Sequence, residues 1–292
     1  MPDMPSRRHF LWSAASTVIA ANVRTTGARQ PATLTARQVT DRIRDKSGIP
    51  WRETSIDGFK AGGPDAMVTG IATAVAATVD VLRRAAAAGR NLVVVQEPTF
   101  YTPAEDGGNR AADAVYLAKK ALVDEGHLVV WRFSEHWNAR KPNEPVSALA
   151  NALGWSAYRQ PDGDALYRIP EMRLDAVVEH VRTRLHVRGG LRWIGRPDMR
   201  VTTVLLSPGT TDLPSTVARM PRADVLLAGE PREWEAVPYV LDAGTQKAVV
   251  SVGRIVSLEP GAAACASWIR SFTPELPVET IAIGDPYWSA GS

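Results

Sequence analysis

Asn91-Leu92-Val93-Val94-Val95-Gln96-Glu97-Pro98-Thr99-Phe100-Tyr101 is the stretch on which the reading of the fold turns. Gly89-Arg90 closes the helical pattern before it, and the run to Val95 is apolar and largely β-branched. That is the mark of a short strand buried on both faces of a parallel sheet. Pro98 has no N–H to give a ladder, so the strand ends before it. The polar pair Gln96-Glu97 then sits at the carboxyl end of a buried strand, where open α/β sheets hold their ligands. Taken alone, the stretch fits a site and a simple turn cap equally well.

A second copy breaks the tie. Ala223-Asp-Val-Leu-Leu-Ala-Gly-Glu-Pro-Arg-Glu-Trp234 repeats the plan of apolar strand, Glu-Pro and a nearby aromatic. Val68 to Glu97 is 29 positions and Val201 to Glu230 is also 29, so one offset of 133 superposes Val68-Thr69 on Val201-Thr202 and Glu97 on Glu230. Each half continues into a helical segment and a further strand, at 128–133 and 247–252. The expected fold class is therefore α/β: two similar domains related by internal duplication, each a mixed or mostly parallel sheet flanked by helices. The break at Gln160-Pro-Asp-Gly163 divides them, giving a first domain at 29–160 and a second at 161–292.

The chain has 292 residues, 45% apolar and 22% charged, enough for one or two cores. Net charge is +3, of which residues 1–28 contribute +2 (Arg7, Arg8 and Arg24 against Asp3). The rest carries no basic run, which argues against nucleic acid and against a charged membrane surface. Cys265 is the single cysteine, so an intrachain disulfide and a thiolate zinc cluster are excluded; its Ala-rich setting reads as buried filler. Ser6-Arg7-Arg8-His9-Phe10-Leu11 and the short apolar run to Ala21 resemble a twin-arginine export signal, cut after Ala21 or Ala28. The expected location is periplasmic or extracellular, with no stable membrane anchor, because the run is too short to span a bilayer.

In order, Thr35 to Gln38 forms a capping box that opens a helix. Residues 48–59 are loop or edge structure, 67–72 a strand, 75–88 a helix and 111–124 another. The strand from His127 delivers Ser134-Glu135-His136-Trp137-Asn138, the densest polar and aromatic cluster of the chain; a histidine so flanked is more often hydrogen-bonded structure than a ligand. Residues 172–187 carry apolar positions at helical spacing, 191–194 and 201–206 are strands, and the 253–261 segment precedes a helix containing Cys265. The chain closes on a strand at 278–283 and on Gly284-Asp-Pro-Tyr-Trp288.

Six segments in order, at 91–101, 130–138, 149–155, 225–235, 253–261 and 284–288, resemble the Nif-three-like proteins, often labelled GTP cyclohydrolase 1 type 2 homologues. The resemblance implies two α/β domains, a toroidal homo-hexamer and a dinuclear centre of zinc, iron or manganese facing the central cavity. This chain departs from the family at the ligand positions. His-His-Pro or His-Glu-Pro is here Gln96-Glu97-Pro98, Asn138 stands at the next ligand, and Ser134 at another usual histidine. Gly-His-x-x-Ser-Glu-Glu is here Gly253-Arg254-Ile-Val-Ser257-Leu258-Glu259. Glu97, His136, Glu230, Glu233, Glu235 and Glu259 keep the polar character of the family's segments.

Divalent ions of this kind want several imidazoles and carboxylates at once. Amides ligate poorly, Leu258 does not ligate, and Arg254 brings a fixed positive charge. The guanidinium is instead expected to pair with Glu97 or Glu230. The expected function is an exported relative with a degenerate metal site and no cofactor, a ring scaffold or small-molecule binder. The alternative is a metal-dependent hydrolase rebuilt on Glu97, Glu135, His136 and Glu259. A nucleic-acid or partner-binding module has no basic stripe to support it.

Overall fold

The computed structural model describes residues 34–102, 105, 112–161, 163, 165–211 and 219–289. The expected export signal lies outside them. Two five-stranded sheets carry the fold. The first has the order β1-β4-β3-β2-β10, formed by Gly58–Ala61 (β1), Ile71–Ala74 (β2), Leu92–Val95 (β3), Val129–Arg132 (β4) and Val278–Thr280 (β10). The second has the order β5-β7-β8-β9-β6, formed by Leu166–Arg173 (β5), Arg192–Ile194 (β6), Arg200–Thr211 (β7), Val225–Pro231 (β8) and Ala248–Ser251 (β9). The helices are Ala36–Lys46 (α1), Val79–Ala87 (α2), Ala114–Glu125 (α3), Glu135–Ala139 (α4), Glu144–Ala152 (α5), Leu174–Arg184 (α6), Glu233–Asp242 (α7) and Arg254–Arg270 (α8). Among the described residues, no helix is long and apolar enough to cross a membrane.

The duplication holds at the level of register. Ile71 pairs with Leu92 in the first sheet and Val204 with Val225 in the second, the same step of 133 that relates Glu97 to Glu230. In each sheet three parallel strands run side by side, and an antiparallel edge strand, β1 or β6, closes on β4 or β9. A side-chain clasp is duplicated too. Asn91 Oδ1 accepts the Thr69 N–H at 2.8 Å, and Asp224 Oδ2 accepts the Thr202 N–H at 2.8 Å and that of Thr203 at 2.9 Å. The halves differ at the outer strand beside β2 and β7. There β5 runs antiparallel to β7, whereas β10 runs parallel to β2, so the chain's last strand completes the sheet that its first strand began.

All four residues of β3 are buried, as a doubly covered strand requires. The Thr35 capping box at α1 is present with both of its hydrogen bonds. Three expectations are corrected. Met172 and Arg173 belong to strand β5, not to the helix: β5 is an edge strand with mixed burial, so its pattern blends into the apolar spacing of α6. Strand β8 continues through Pro231, because a bulge at Pro208-Gly209 shifts the pairing and the Arg232 N–H reaches Thr211 O at 3.4 Å in place of the missing proline donor. The helix expected around Cys265 begins at Arg254 and carries Pro260 inside it.

Helix α8 joins the layers. Thr73 Oγ on β2 donates to Ala262 O at 2.8 Å, and Cys265, Ala266 and Ile269 pack in the core of the first sheet. One end of the helix meets the second sheet: Ser257 Oγ accepts the Gly209 N–H at 3.0 Å. A Cβ at Gly229 would lie 2.3 Å from that Ser257 oxygen and 2.5 Å from Gly209 O, so this strand position has to be glycine.

The duplicated clasp predicts unequal costs. Thr69 is exposed, and its N–H finds water once Asn91 is truncated. Thr203 is buried, and its N–H does not. Asp224→Ala should lose about 1–2 kcal/mol in urea unfolding and Asn91→Ala clearly less, with the two losses adding because they lie in different sheets. Equal losses would contradict this ranking.

Candidate functional site

Glu97 follows β3 and Glu230 lies near the end of β8, at equivalent points of the two central strands, and Arg254 at the start of α8 joins them. Its Nε and Nη2 bond both oxygens of Glu97 at 2.9 and 2.8 Å, while Nη1 reaches Glu230 Oε2 at 3.1 Å. The pairing expected of Arg254 is thus made with both glutamates. The two bonds are unequal in kind. Glu97 takes the planar fork and its side chain is 16% exposed, whereas the Glu230 side chain is 59% exposed and takes one contact. Burial lowers the Arg254 pKa, but hydrogen bonding and charge from Glu97, with Glu230 behind it, outweigh burial and hold it above the ordinary arginine value.

The other residues singled out in the sequence take separate places. Gln96 is buried, and its Nε2 has no hydrogen-bond partner. Leu258 packs with Val75 and Ala262 in a small apolar cluster. Asn138 is exposed on α4. Glu233 pairs with Arg192 at 2.8 Å, and Glu235 with Arg232 at 3.2 Å. Glu259 Oε1 accepts the N–H groups of Ile283 and Gly284 at 2.6 and 2.7 Å, pinning the chain beyond β10.

Glu135 and His136 belong to a clasp around Asp57. That carboxylate accepts the N–H groups of Ser134, Glu135 and His136, so it caps α4 from a distance, and it also lies 2.7 Å from His136 Nδ1. His136 is fully buried, its Nε2 accepts the Arg52 N–H at 3.1 Å, and its ring stacks on Trp51 at 3.8 Å. The tautomer is set: Nδ1 carries the proton and donates to Asp57. Glu135 bonds Ser55 Oγ at 2.7 Å and Arg52 Nη2 at 3.0 Å; the Ser55 hydrogen bond is the main cause that lowers its pKa. Both ring nitrogens of this histidine are thus engaged within the fold.

A second charged cluster, absent from the sequence reading, lies beneath the turn after Pro98. Glu105 accepts the N–H groups of Thr99 and Phe100 and lies 3.5 Å from Arg132 Nη1, and Arg132 Nε donates to Gln96 O at 3.2 Å. Lys119, buried on α3, donates to Thr99 O and sits 4.8 Å from the Tyr101 ring centre. Together they hold the turn that follows Glu97. The signal in the sequence is Lys119 itself, one turn before Val123 on the inward stripe of a helix, where a lysine breaks the apolar pattern.

The fold and the paired strand ends define a class: duplicated α/β proteins in which the ends of the two halves' central strands are joined through one side chain. The family model Duf34/NIF3 (NGG1p interacting factor 3) matches residues 50–253, well over half of the chain, and the protein belongs to that family. The match stops one residue before Arg254, where the departures from the expected ligand pattern resume. No curated protein matches the chain in sequence. Among solved structures it is similar to the SA1388 protein of Staphylococcus aureus (TM-score 0.69, 13% identity, 88% of this chain and 99% of that one). A Bacillus cereus protein related to NIF3 is similar at TM-score 0.69 and 14% identity, over 87% and 99% of the two chains. Reduced HcgD from Methanocaldococcus jannaschii is similar at TM-score 0.61 and 14% identity, over 85% and 98%. At such identities these likenesses establish the fold.

Burial pushes the Lys119 amine down from 10.5 to about 8, with Glu105 partly offsetting it. The folded state therefore gives up this proton before the unfolded chain does. Between pH 8 and 10.5 the unfolded state binds more protons, and stability rises with pH. Urea unfolding across that window should show a gain on the order of 2–3 kcal/mol in the wild type that Lys119→Met lacks. Parallel curves for the two proteins would refute the assignment.

Proposed function

We propose that this protein is an exported Duf34/NIF3 relative whose dinuclear metal site has been replaced by an internal ion pair, leaving a non-catalytic, small-molecule-binding ring scaffold. The observation that carries the reading is the Arg254 fork on Glu97. Both oxygens of the carboxylate best placed to ligate an ion are engaged by a guanidinium, and a divalent cation beside that group is repelled by several kcal/mol, on the order expected for like charges a few ångströms apart. The remaining donors do not fit two metals either: the Gln96 amide is a weak ligand, Leu258 has no donor atom, and Asn138 is turned out to solvent. The rebuilt-site hydrolase would need Glu135 and His136 to leave Arg52, Ser55 and Asp57, and Glu259 to leave the backbone it pins.

Metal analysis of protein purified without chelator tests this. The wild type should carry well under one transition metal per chain, and added zinc or manganese should leave its melting temperature unchanged. A micromolar site at hundredfold excess metal would instead add about 2.7 kcal/mol, visible as a shift of several degrees. The variant Gln96→His, Asn138→His, Arg254→His, Leu258→Glu restores the family's donor types and should gain zinc. Two tightly held metals in the wild type would sink the degenerate-site reading in favour of the hydrolase.

Export by the twin-arginine route and closure of six copies into a homo-hexamer complete the proposal, on the strength of the Arg7-Arg8 motif and the family. Changing both arginines to lysine should hold the precursor in the cytoplasm, and light scattering should give six times the mature mass. Undiminished export of the double variant, or a monomer at micromolar concentration, would remove the respective part.

A further inference from the structure

The Arg254 bridge occupies one side of a cleft of about 590 Å³ at the carboxyl ends of β8 and β9, within the roughly 300–1,000 Å³ range of small-molecule sites. Its other side is the chain beyond β10, which carries Tyr287 and Trp288. That strap is anchored at both ends. Glu259 holds the N–H groups of Ile283 and Gly284, and Asp285 Oδ2 accepts those of Arg188 and Gly189 at 2.8 and 2.7 Å. Arg188 returns the contact, donating to Asp285 O at 2.6 Å and Tyr287 O at 3.2 Å. Yet the two aromatic side chains so fixed remain 66% and 70% exposed at the cleft. Large rings presented to water on the wall of a cleft by an anchored backbone are surfaces for a ligand to lie on.

The charges say which ligand. Among the residues that line the cleft, Glu230, Glu233 and Asp285 set three negative charges against the two positive charges of Arg192 and Arg254, and both guanidinium groups are already bonded to glutamates. An anion meets a small negative surplus and, among the described residues that line the cleft, no free cation. A cation over Trp288 is repelled by the Arg188 guanidinium, which lies 3.6 Å from that ring's centre, whereas a neutral ring on the tryptophan's exposed surface meets no such charge. The bonded carboxylates keep spare lone pairs, and the guanidinium groups keep spare N–H donors. The cleft thus offers hydrogen bonds in both directions, little net charge and flat apolar rings.

We propose that this cleft binds a neutral carbohydrate. A sugar ring stacks on Tyr287 or Trp288, and its hydroxyls bond to Glu230, Glu233 and the free N–H groups of Arg254. The inference rests on the small-molecule reading of the same site and names the ligand's class.

The test uses the full mature chain on an array of neutral oligosaccharides, followed by calorimetry with those that bind. Saturable binding is expected, weakened at least about tenfold by Trp288→Ala, a fold-change worth about 1.4 kcal/mol. It should be unchanged in Glu179→Gln, an exposed carboxylate on α6 outside the cleft. Inorganic phosphate and tetramethylammonium serve as charged probes and should not bind. Glycan binding that Trp288→Ala leaves intact overturns the assignment, and so does an array with no binder. If a charged probe binds in a Trp288-dependent way and no glycan does, the carbohydrate class is wrong while small-molecule binding stands. Tight metal in the wild type is the separate result that removes the underlying reading.

Discussion

Two carboxylates at equivalent ends of duplicated strands need a cation between them, and Arg254 supplies it. Duplication creates the need: what is polar at Glu97 is polar again at Glu230, and both carboxylates lie within reach of one side chain. A guanidinium answers it because it stays charged at any physiological pH and its fork matches a carboxylate. The asymmetry of the contacts follows from solvent. The more buried Glu97 takes two bonds because little water reaches it, while Glu230 shares its charge with solvent and takes one.

Fixing Arg254 also fixes where α8 starts. Gly253, at φ 90°, turns the chain from β9 into the helix, and one turn later Ser257 buttresses the β7 bulge against Gly229. The same helix then crosses to the first sheet, where Cys265 and Ile269 are core residues. The ion pair, the bulge and the inter-sheet packing are thus carried by one element. A side chain at 254 that could not hold both glutamates would put their repulsion on the helix that holds the sheets together.

Most of the architecture was legible because the duplication repeats chemistry along with pattern. The offset of 133 was visible in Val-Thr and Glu-Pro, and it proved to be the register of both sheets, down to the Asn91 and Asp224 clasps. What escaped was long-range or two-sided. β5 is a half-exposed edge strand running into an amphipathic helix, and no periodicity separates them at Met172. The pairing of β10 beside β2 joins residues some two hundred positions apart, a contact no local pattern encodes. The start of α8 was masked by Pro260, which reads as a breaker; within a helix packed on both sheets, tertiary contacts tolerate it.

The site divides in the same way. Arg254 was readable as a cation needing a carboxylate, because a fixed charge beside two glutamates has few other outcomes. Glu135 and Glu259 could not be sorted from sequence, since a carboxylate that pins backbone N–H groups and one that serves a ligand look alike until the acceptors are located. Location decides for Glu259: by holding Ile283 and Gly284 it aims the strap, and the strap's aromatics face a cleft built from the other half of the molecule. The strand that completes the first sheet thus delivers the wall of the second sheet's cleft. The cleft therefore exists only when both halves are folded and docked, which couples its shape to the Arg254 bridge at its opposite side.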